Sequence, residues 1–487
     1  MPLKAHIRLT LQAVLLVAAS ALAFYGQALD VEIKTRAEIN SVEITGKFVD
    51  RGDIRNIAFE REYAGVSGLA ERISRMKFTA ADGSEVAFKQ FAPGEYAASG
   101  PVKGFSYTVS LDPPARTGQA HVSWLKNGRG LYFLGDLLPL ALGGASQEAR
   151  IVLSGADVAL FFGGCYMPSD DGTLNCHDRS RAVLVRSKDL LGVNKNFDDI
   201  SLYVEGDWGF DKVEAAVEMN KIFREYQKVF GGVPFNPVTV SVMRFADETP
   251  PGVWEAGVRG NNVVILSSDS PFKSQSLQQL SSRLRHELFH LWLPNGVDLS
   301  GRYEWFYEGA AIYMSQKLGV GMNRTRFDDL VSSLSTAIAY DRTAPKGLSL
   351  AMAGDTRWSG NAQTLYARGM LAAFILDVEL LKRSKAKHSL EDVLRKLFSE
   401  HDRRKGSRAE ADPAIIDAFA GFDNAGQLAK GLLERTDPLD LTSALENSGF
   451  ELSDSGRGLK VKEKPDSREK AILNKLGYNN WRKLSLR

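Results

Sequence analysis

The sequence predicts a multidomain α+β protein, with a β-sandwich-like N-terminal domain followed by a mostly helical one. Three observations carry this reading. At 487 residues the chain exceeds what one ordinary core organises. Up to about Val204 the apolar residues recur with period two between Gly/Pro turns. From about Asp207 the period becomes helical and stays so to the vicinity of residue 450. The expected segments are a leader at 1–28, a β-rich domain at 29–205, a mostly helical domain at 206–450 and a basic tail at 451–487.

The leader comes first. Lys4, His6 and Arg8 precede an apolar run from Leu9 to Phe24, and Ala21-Leu22-Ala23 or Gly26-Gln27-Ala28 offers small residues for cleavage. This predicts a signal peptide and an exported (periplasmic or secreted) body. A retained membrane anchor is the alternative, because the run approaches spanning length. After cleavage no stable span is expected.

Charge then excludes a class of partner. The chain has 61 basic and 59 acidic residues. The leader holds two of the former, Lys4 and Arg8, and none of the latter, so the body balances at 59 against 59. A body of balanced charge offers no net electrostatic footprint for a polyanion, and nucleic acid is not expected as a partner.

In the β-rich region, Val31–Lys34, Ser41–Ile44, Phe105–Val109, Ile151–Leu153 and Ala182–Val185 read as strands. Turn pairs such as Asp82-Gly83 and Asn127-Gly128 separate them, the pattern of a sandwich. The two cysteines, Cys165 and Cys176, flank turn-forming residues and predict a disulfide in an oxidising compartment.

In the second region the stripe Val213, Ala216, Met219, Phe223 and Tyr226 gives a helix ending at Gly231-Gly232. Strands follow at Val238–Val242 and Val263–Leu266, the latter a candidate edge for pairing with a substrate backbone. Helices are expected at 276–292, 305–318, 323–340, 361–383, 389–400, 412–420 and 438–448. Ser276 and Gln279 suggest a capping box for the first of these. The segment 454–487 carries ten basic and four acidic residues, and reads as a solvated surface or loosely docked helix.

The chemistry lies in His286-Glu287-Leu288-Phe289-His290. On a helix, positions i and i+4 share a face, so the two imidazoles can bind one zinc ion, with Glu287 beside the open coordination position. Leu277, Leu280, Leu284, Leu288 and Leu291 form the core-facing stripe. At ~100° per residue from Leu284, His286 falls near 200° and His290 near 240°, away from it. A bare motif of this kind recurs by chance, so a third ligand matters. Glu308 follows in Trp305-Phe306-Tyr307-Glu308-Gly309-Ala310-Ala311, where small residues permit close helix approach. Glu304, one turn earlier, competes with it.

His286-Glu287-Leu288-Phe289-His290-Leu291-Trp292 followed by Trp305-Phe306-Tyr307-Glu308-Gly309 resembles the gluzincin zinc metallopeptidases, and within them the glycyl-aminopeptidase family. The resemblance implies a thermolysin-like catalytic domain and one Zn2+ held by His286, His290 and Glu308. It further implies Glu287 as catalytic base and peptides or proteins as substrates. Tyr366-Ala367-Arg368-Gly369 is similar to a Tyr-x-Lys/Arg-Gly motif of related aminopeptidases, which implies that Tyr366 stabilises the tetrahedral intermediate. The sequence departs from the family in a short His290–Glu308 connection and in a PDZ domain that is missing or cut down to 454–487. Trp254-Glu255-Ala256-Gly257-Val258-Arg259-Gly260-Asn261-Asn262 also stands where a glycine-rich strand segment is usual. Glu255 is the candidate there for holding a substrate amino terminus. The expected activity is aminopeptidase-like zinc hydrolysis. An endopeptidase, or an inactive secreted binding protein of the same fold, is the alternative.

Overall fold

A computed structural model describes residues 28–49, 52–115, 117–141, 147–155, 160–167, 172–193, 197–453 and 456–479. The expected leader lies outside them but for Ala28. The architecture is mixed α+β. Two compact units are present, one of Met1–Leu190 with Phe245–Glu248, the other of Leu191–Arg244 with Thr249–Arg487.

In the first unit, strands β1 (Leu29–Arg36), β2 (Ser41–Phe48), β3 (Ile73–Thr79), β4 (Gly104–Ser110), β5 (Ala149–Ser154), β6 (Cys165–Tyr166) and β7 (Thr173–Cys176) form one sheet. Its order is β6-β7-β5-β1-β2-β4-β3. Along β1, Leu29, Val31, Ile33 and Thr35 are buried and alternate with more exposed neighbours, the expected period of two. Two four-stranded sheets, centred on Arg129–Phe133 with Val183–Arg186 and on Asn56–Ala58 with Glu95–Ala98, pack into the same unit. Cys165 and Cys176 pair directly across β6 and β7 and form the disulfide.

The second unit is built on a five-stranded sheet of β8 (Leu190–Val193), β9 (Ile200–Glu205), β10 (Val238–Met243), β11 (Trp254–Arg259) and β12 (Asn262–Ser267), ordered β8-β9-β10-β12-β11. Every residue of β10 and β12 is buried, as befits strands covered on both faces. The edge is therefore β11, not the 263–266 strand expected from sequence, which has β10 on one side and β11 on the other. β9, grouped in sequence with the β-rich region, pairs with β10 and belongs to this sheet.

The helices, numbered from a single turn in the first unit, are α1 (Leu134–Leu137), α2 (Lys212–Phe230), α3 (Lys273–Trp292), α4 (Glu304–Gly321), α5 (Phe327–Thr343), α6 (Leu350–Asp355), α7 (Ala362–Arg383), α8 (Leu390–His401), α9 (Ala411–Ala420), α10 (Gly426–Glu434), α11 (Thr442–Leu445) and α12 (Ser467–Lys475). Asp211 caps α2 through Val213 and Glu214, and left-handed Gly231 (φ 78°) ends it.

Three sequence expectations fail here for physical reasons. α3 begins one turn before the proposed capping box, because Ser276 Oγ donates to Asp269 Oδ1 (2.6 Å) and Gln279 accepts from Ser270 (2.8 Å). Those side chains fasten the preceding loop rather than cap the helix. The 438–448 helix shrinks to α11, while α10 hides behind two glycines; Gly426 is needed where α10 meets the carbonyl of Ile416 and the side chain of Ala420. Finally, the basic segment is no loose tail within its described part. Leu459, Ile472, Leu473 and Leu476 are buried in the second unit's core.

Candidate metal centre

α3 is fixed from both sides before its histidines matter. Leu280, Leu284, Leu288 and Leu291 are buried as the stripe predicts. The buried Arg285, held within α3 by Nη1 donating to Ser281 (2.8 Å), donates from Nε to the Ser315 carbonyl on α4 (2.9 Å), which sets the register between the two helices. At its far end α4 is tied by the Trp305 indole donating to Asp412 (2.8 Å).

This register brings His286, His290 and Glu308 together, and among the described residues they are the one group of side chains with metal-ligand geometry. Their facing atoms lie 3.2 Å (His286 Nε2 to His290 Nε2), 3.6 Å (His286 Nε2 to Glu308 Oε2) and 3.7 Å (His290 Nε2 to Glu308 Oε2) apart. Ligands ~2.0–2.1 Å from a tetrahedral zinc ion stand about 3.3–3.4 Å from one another. The triangle is close to one face of that tetrahedron and leaves the fourth corner open. His290 Nδ1 contacts the Leu293 carbonyl (3.0 Å), which only accepts, so the ring proton sits on Nδ1 and the Nε2 lone pair faces the other ligands. The residues present therefore fit zinc. Glu304, the competing ligand, is not among the three, and its Oε2 has no hydrogen-bond partner.

The electrostatics suit a cation. Burial opposes the charge on Glu308, yet His290, His286 and Arg357 together hold its carboxyl far below the usual range. Burial pushes His290 down to about 4, keeping it a neutral donor. His286 is shifted upward: burial works against its charged form, but its bond to Glu308 and the charge of Glu287 outweigh that. Glu287 is buried and pushed up to about 7 by desolvation, the range in which a carboxylate serves as a base at neutral pH.

The small residues after Glu308 do permit a close approach, but to α7 rather than to α3. A Cβ on Gly309 would meet the backbone of Gly369 at 2.4 Å. The Tyr366–Gly369 segment thereby acquires a structural reading. Gly369 is the crossing point, and Arg368 is buried with its Nε donating to Asp341 (2.6 Å) and Nη1 to the Leu348 carbonyl (2.6 Å), anchoring α7. Tyr366, one turn before the crossing, accepts a hydrogen bond from Arg357 Nη2 (2.7 Å). Arg357 Nη1 in turn donates to Glu308 Oε1 (2.7 Å).

Arg357 was not singled out by sequence. It stands in a short turn, Arg357–Ser359, outside any motif spacing. The only available signal was a cation flanking Trp358, in a chain whose charged residues are mostly exposed. The edge strand runs beside α3, with Arg283 lying under the Trp254 ring (4.8 Å) and Gln279 donating to the Gly252 carbonyl (2.8 Å).

The sequence matches no protein-family model. It also matches no curated protein. Solved structures do match. An aminopeptidase N family protein from Idiomarina loihiensis superimposes with a TM-score of 0.73 at 16% identity, over 90% of this chain and 82% of that one. An M1 zinc metallopeptidase from Deinococcus radiodurans gives 0.55 at 14% identity, over 85% and 94%. A variant of the latter bound to a Tyr-Ser-Ala substrate gives 0.57, also at 14% identity, over 85% and 95%. The chain thus has the fold of the M1 zinc metallopeptidases. The likeness is one of fold, and it does not distinguish the glycyl-aminopeptidase family from other peptidases that share it.

Proposed function

We propose that the chain is an exported zinc peptidase that hydrolyses peptide bonds, with aminopeptidase action as its primary mode. The observation that carries the reading is the triangle of His286, His290 and Glu308, set beside a buried carboxylate, Glu287. The shared fold with M1 zinc metallopeptidases supports it, as does the peptide seen on one of them. The disulfide and the leader-like first 28 residues support export.

Bound by these three ligands, zinc would supply Lewis acidity, lowering the pKa of water from ~15.7 toward ~7. Glu287 takes the proton of the attacking water as its oxygen joins the scissile carbonyl carbon. The same carboxyl returns that proton to the amine nitrogen as the C–N bond breaks. Tyr366 donates its hydroxyl proton toward the carbonyl oxygen as charge develops there. Its phenol is pushed up to about 12, by burial and then by Glu308, so it remains a donor throughout the neutral range. β11, which contains Glu255, is a terminal strand of the sheet, along which an extended peptide backbone can pair.

The test is digestion of a peptide library, read by mass spectrometry with and without chelator, for the natural chain and for Glu287→Gln. Loss of single residues from amino ends, abolished by chelator and by Glu287→Gln while zinc is retained, is the expected result. Internal cuts would make it an endopeptidase. Undiminished cleavage by Glu287→Gln would remove the mechanism.

A further inference from the structure

Arg357 makes a connection that none of the roles above requires. Its two terminal nitrogens are spent on different partners, Nη1 on Glu308 Oε1 and Nη2 on the Tyr366 hydroxyl, each at 2.7 Å. The guanidinium lies over the Trp358 ring at 4.5 Å and 5.3 Å from the Tyr366 ring centre, with its Nε buried and unpartnered. The turn that carries it is itself held: Thr356 Oγ1 donates to the Met352 carbonyl (2.6 Å), Asn361 donates to Thr356 (2.8 Å), and Arg302 donates to the Asp355 carbonyl (2.9 Å). Left-handed Gly360 (φ 101°) then turns the chain into α7.

We infer that Arg357 is a positioning residue that clamps Glu308 and Tyr366 into one unit, fixing the metal-ligand oxygen and the hydroxyl donor against each other. The inference rests on the zinc-peptidase reading. Two geometric consequences follow from the planar fork. With Oε1 engaged by the guanidinium, Glu308 turns Oε2 toward the imidazoles and would hold a metal ion through that oxygen. With its own oxygen accepting from Nη2, Tyr366 keeps its O–H proton for a different acceptor, which is what an oxyanion donor needs. The burial of Arg357 against the Glu308 carboxylate, 2.7 Å away, makes the pair mutually dependent. A lysine is a point donor on a flexible stem and cannot span both partners in this geometry.

The experiment compares the full chain with Arg357→Gln, Arg357→Lys, Tyr366→Phe and the Arg357→Gln/Tyr366→Phe double variant. It reads zinc affinity by competition with a chelator, kcat and KM on a peptide cleaved by the natural chain, and folding by circular dichroism. Arg357→Gln is expected to weaken zinc binding about 10–100-fold, the range for partners of metal ligands. It should also lower kcat with little change in KM, and Tyr366→Phe should cost much less in its background than in the natural chain. Arg357→Lys, which keeps the buried charge and guards against loss of fold, should recover zinc affinity more than kcat. Unchanged zinc affinity, or independent multiplication of the two kcat losses, overturns the clamp while leaving the peptidase reading intact. A rise in KM at constant kcat overturns it in favour of direct substrate contact. A natural chain that takes up no zinc overturns both readings.

Discussion

Two clusters of buried charge, one in each unit, are treated in opposite ways. In the first, Asp136 accepts a backbone and a hydroxyl hydrogen bond from Ser123 (2.7 and 2.5 Å) and faces the Arg72 guanidinium (3.4 Å), and the buried Arg179 donates to the Pro139 carbonyl (3.0 Å). Each charge is absorbed by neighbours of fixed polarity, which serves folding. In the second, His286, Glu287, His290, Glu308, Arg357 and Tyr366 perturb one another, and their lone pairs and protons converge on one another instead of being used up. A buried network that leaves groups poised in this way is a mark of chemistry rather than of packing.

That contrast can be broken most sharply at Tyr366. Tyr366→Phe removes one donor and is expected to lower kcat by about 10²–10³-fold, as for other oxyanion donors, with KM and zinc content unchanged. Steady-state kinetics with metal analysis measures it. A loss of zinc instead would make Tyr366 part of the ligand scaffold. Next in size is Gly309→Ala, because the added methyl meets the Gly369 backbone at 2.4 Å. About 1–3 kcal/mol of destabilisation is expected from such overpacking, seen as a lower melting temperature together with weaker zinc retention. An unaffected melt would show that the α4–α7 crossing yields easily.

On the other side of the comparison, replacing Cys165 and Cys176 by serine opens a short loop in the first unit. It should cost about 3 kcal/mol or less of stability and leave zinc content and kcat alone. A fall in kcat at full zinc occupancy would tie the first unit to catalysis. The smallest effect concerns Glu218 on α2, which accepts from Arg324 (2.6 and 2.9 Å) and from Ser281 on α3 (2.7 Å). Burial alone would raise its carboxyl, but these partners hold it below the ordinary glutamate value. Its contribution is therefore present above pH ~4.5 and fades as the pH falls through the lower folded value. The gap between the stability curves of the natural chain and Glu218→Gln should narrow as the pH falls below the ordinary glutamate range, and a constant gap would contradict the assignment.

How far the sequence reached follows the same divide. Signals with a fixed period were legible: the strands around Ile33, Ile44 and Val109, the stripe of α2, and the one-turn spacing of His286 and His290. Glu308 was reachable because small residues flank it, although they serve a crossing with α7 that the linear sequence does not reveal. What depends on non-local neighbours was hidden. Which strand forms the sheet edge follows from β11 turning back on β12, the basic segment docks through Ile472 and Leu473 in spite of its charge, and Arg357 has meaning only once α4 and α7 are side by side. Periodicity reports burial, and pairing between distant groups leaves no period to read.

The central claim is most directly tested by metal content. The purified natural chain should hold one zinc ion per molecule, and His286→Ala, His290→Ala or Glu308→Ala should each release it while the protein remains folded. A natural chain that binds no zinc when the ion is supplied, or variants that keep it undiminished, would contradict the account.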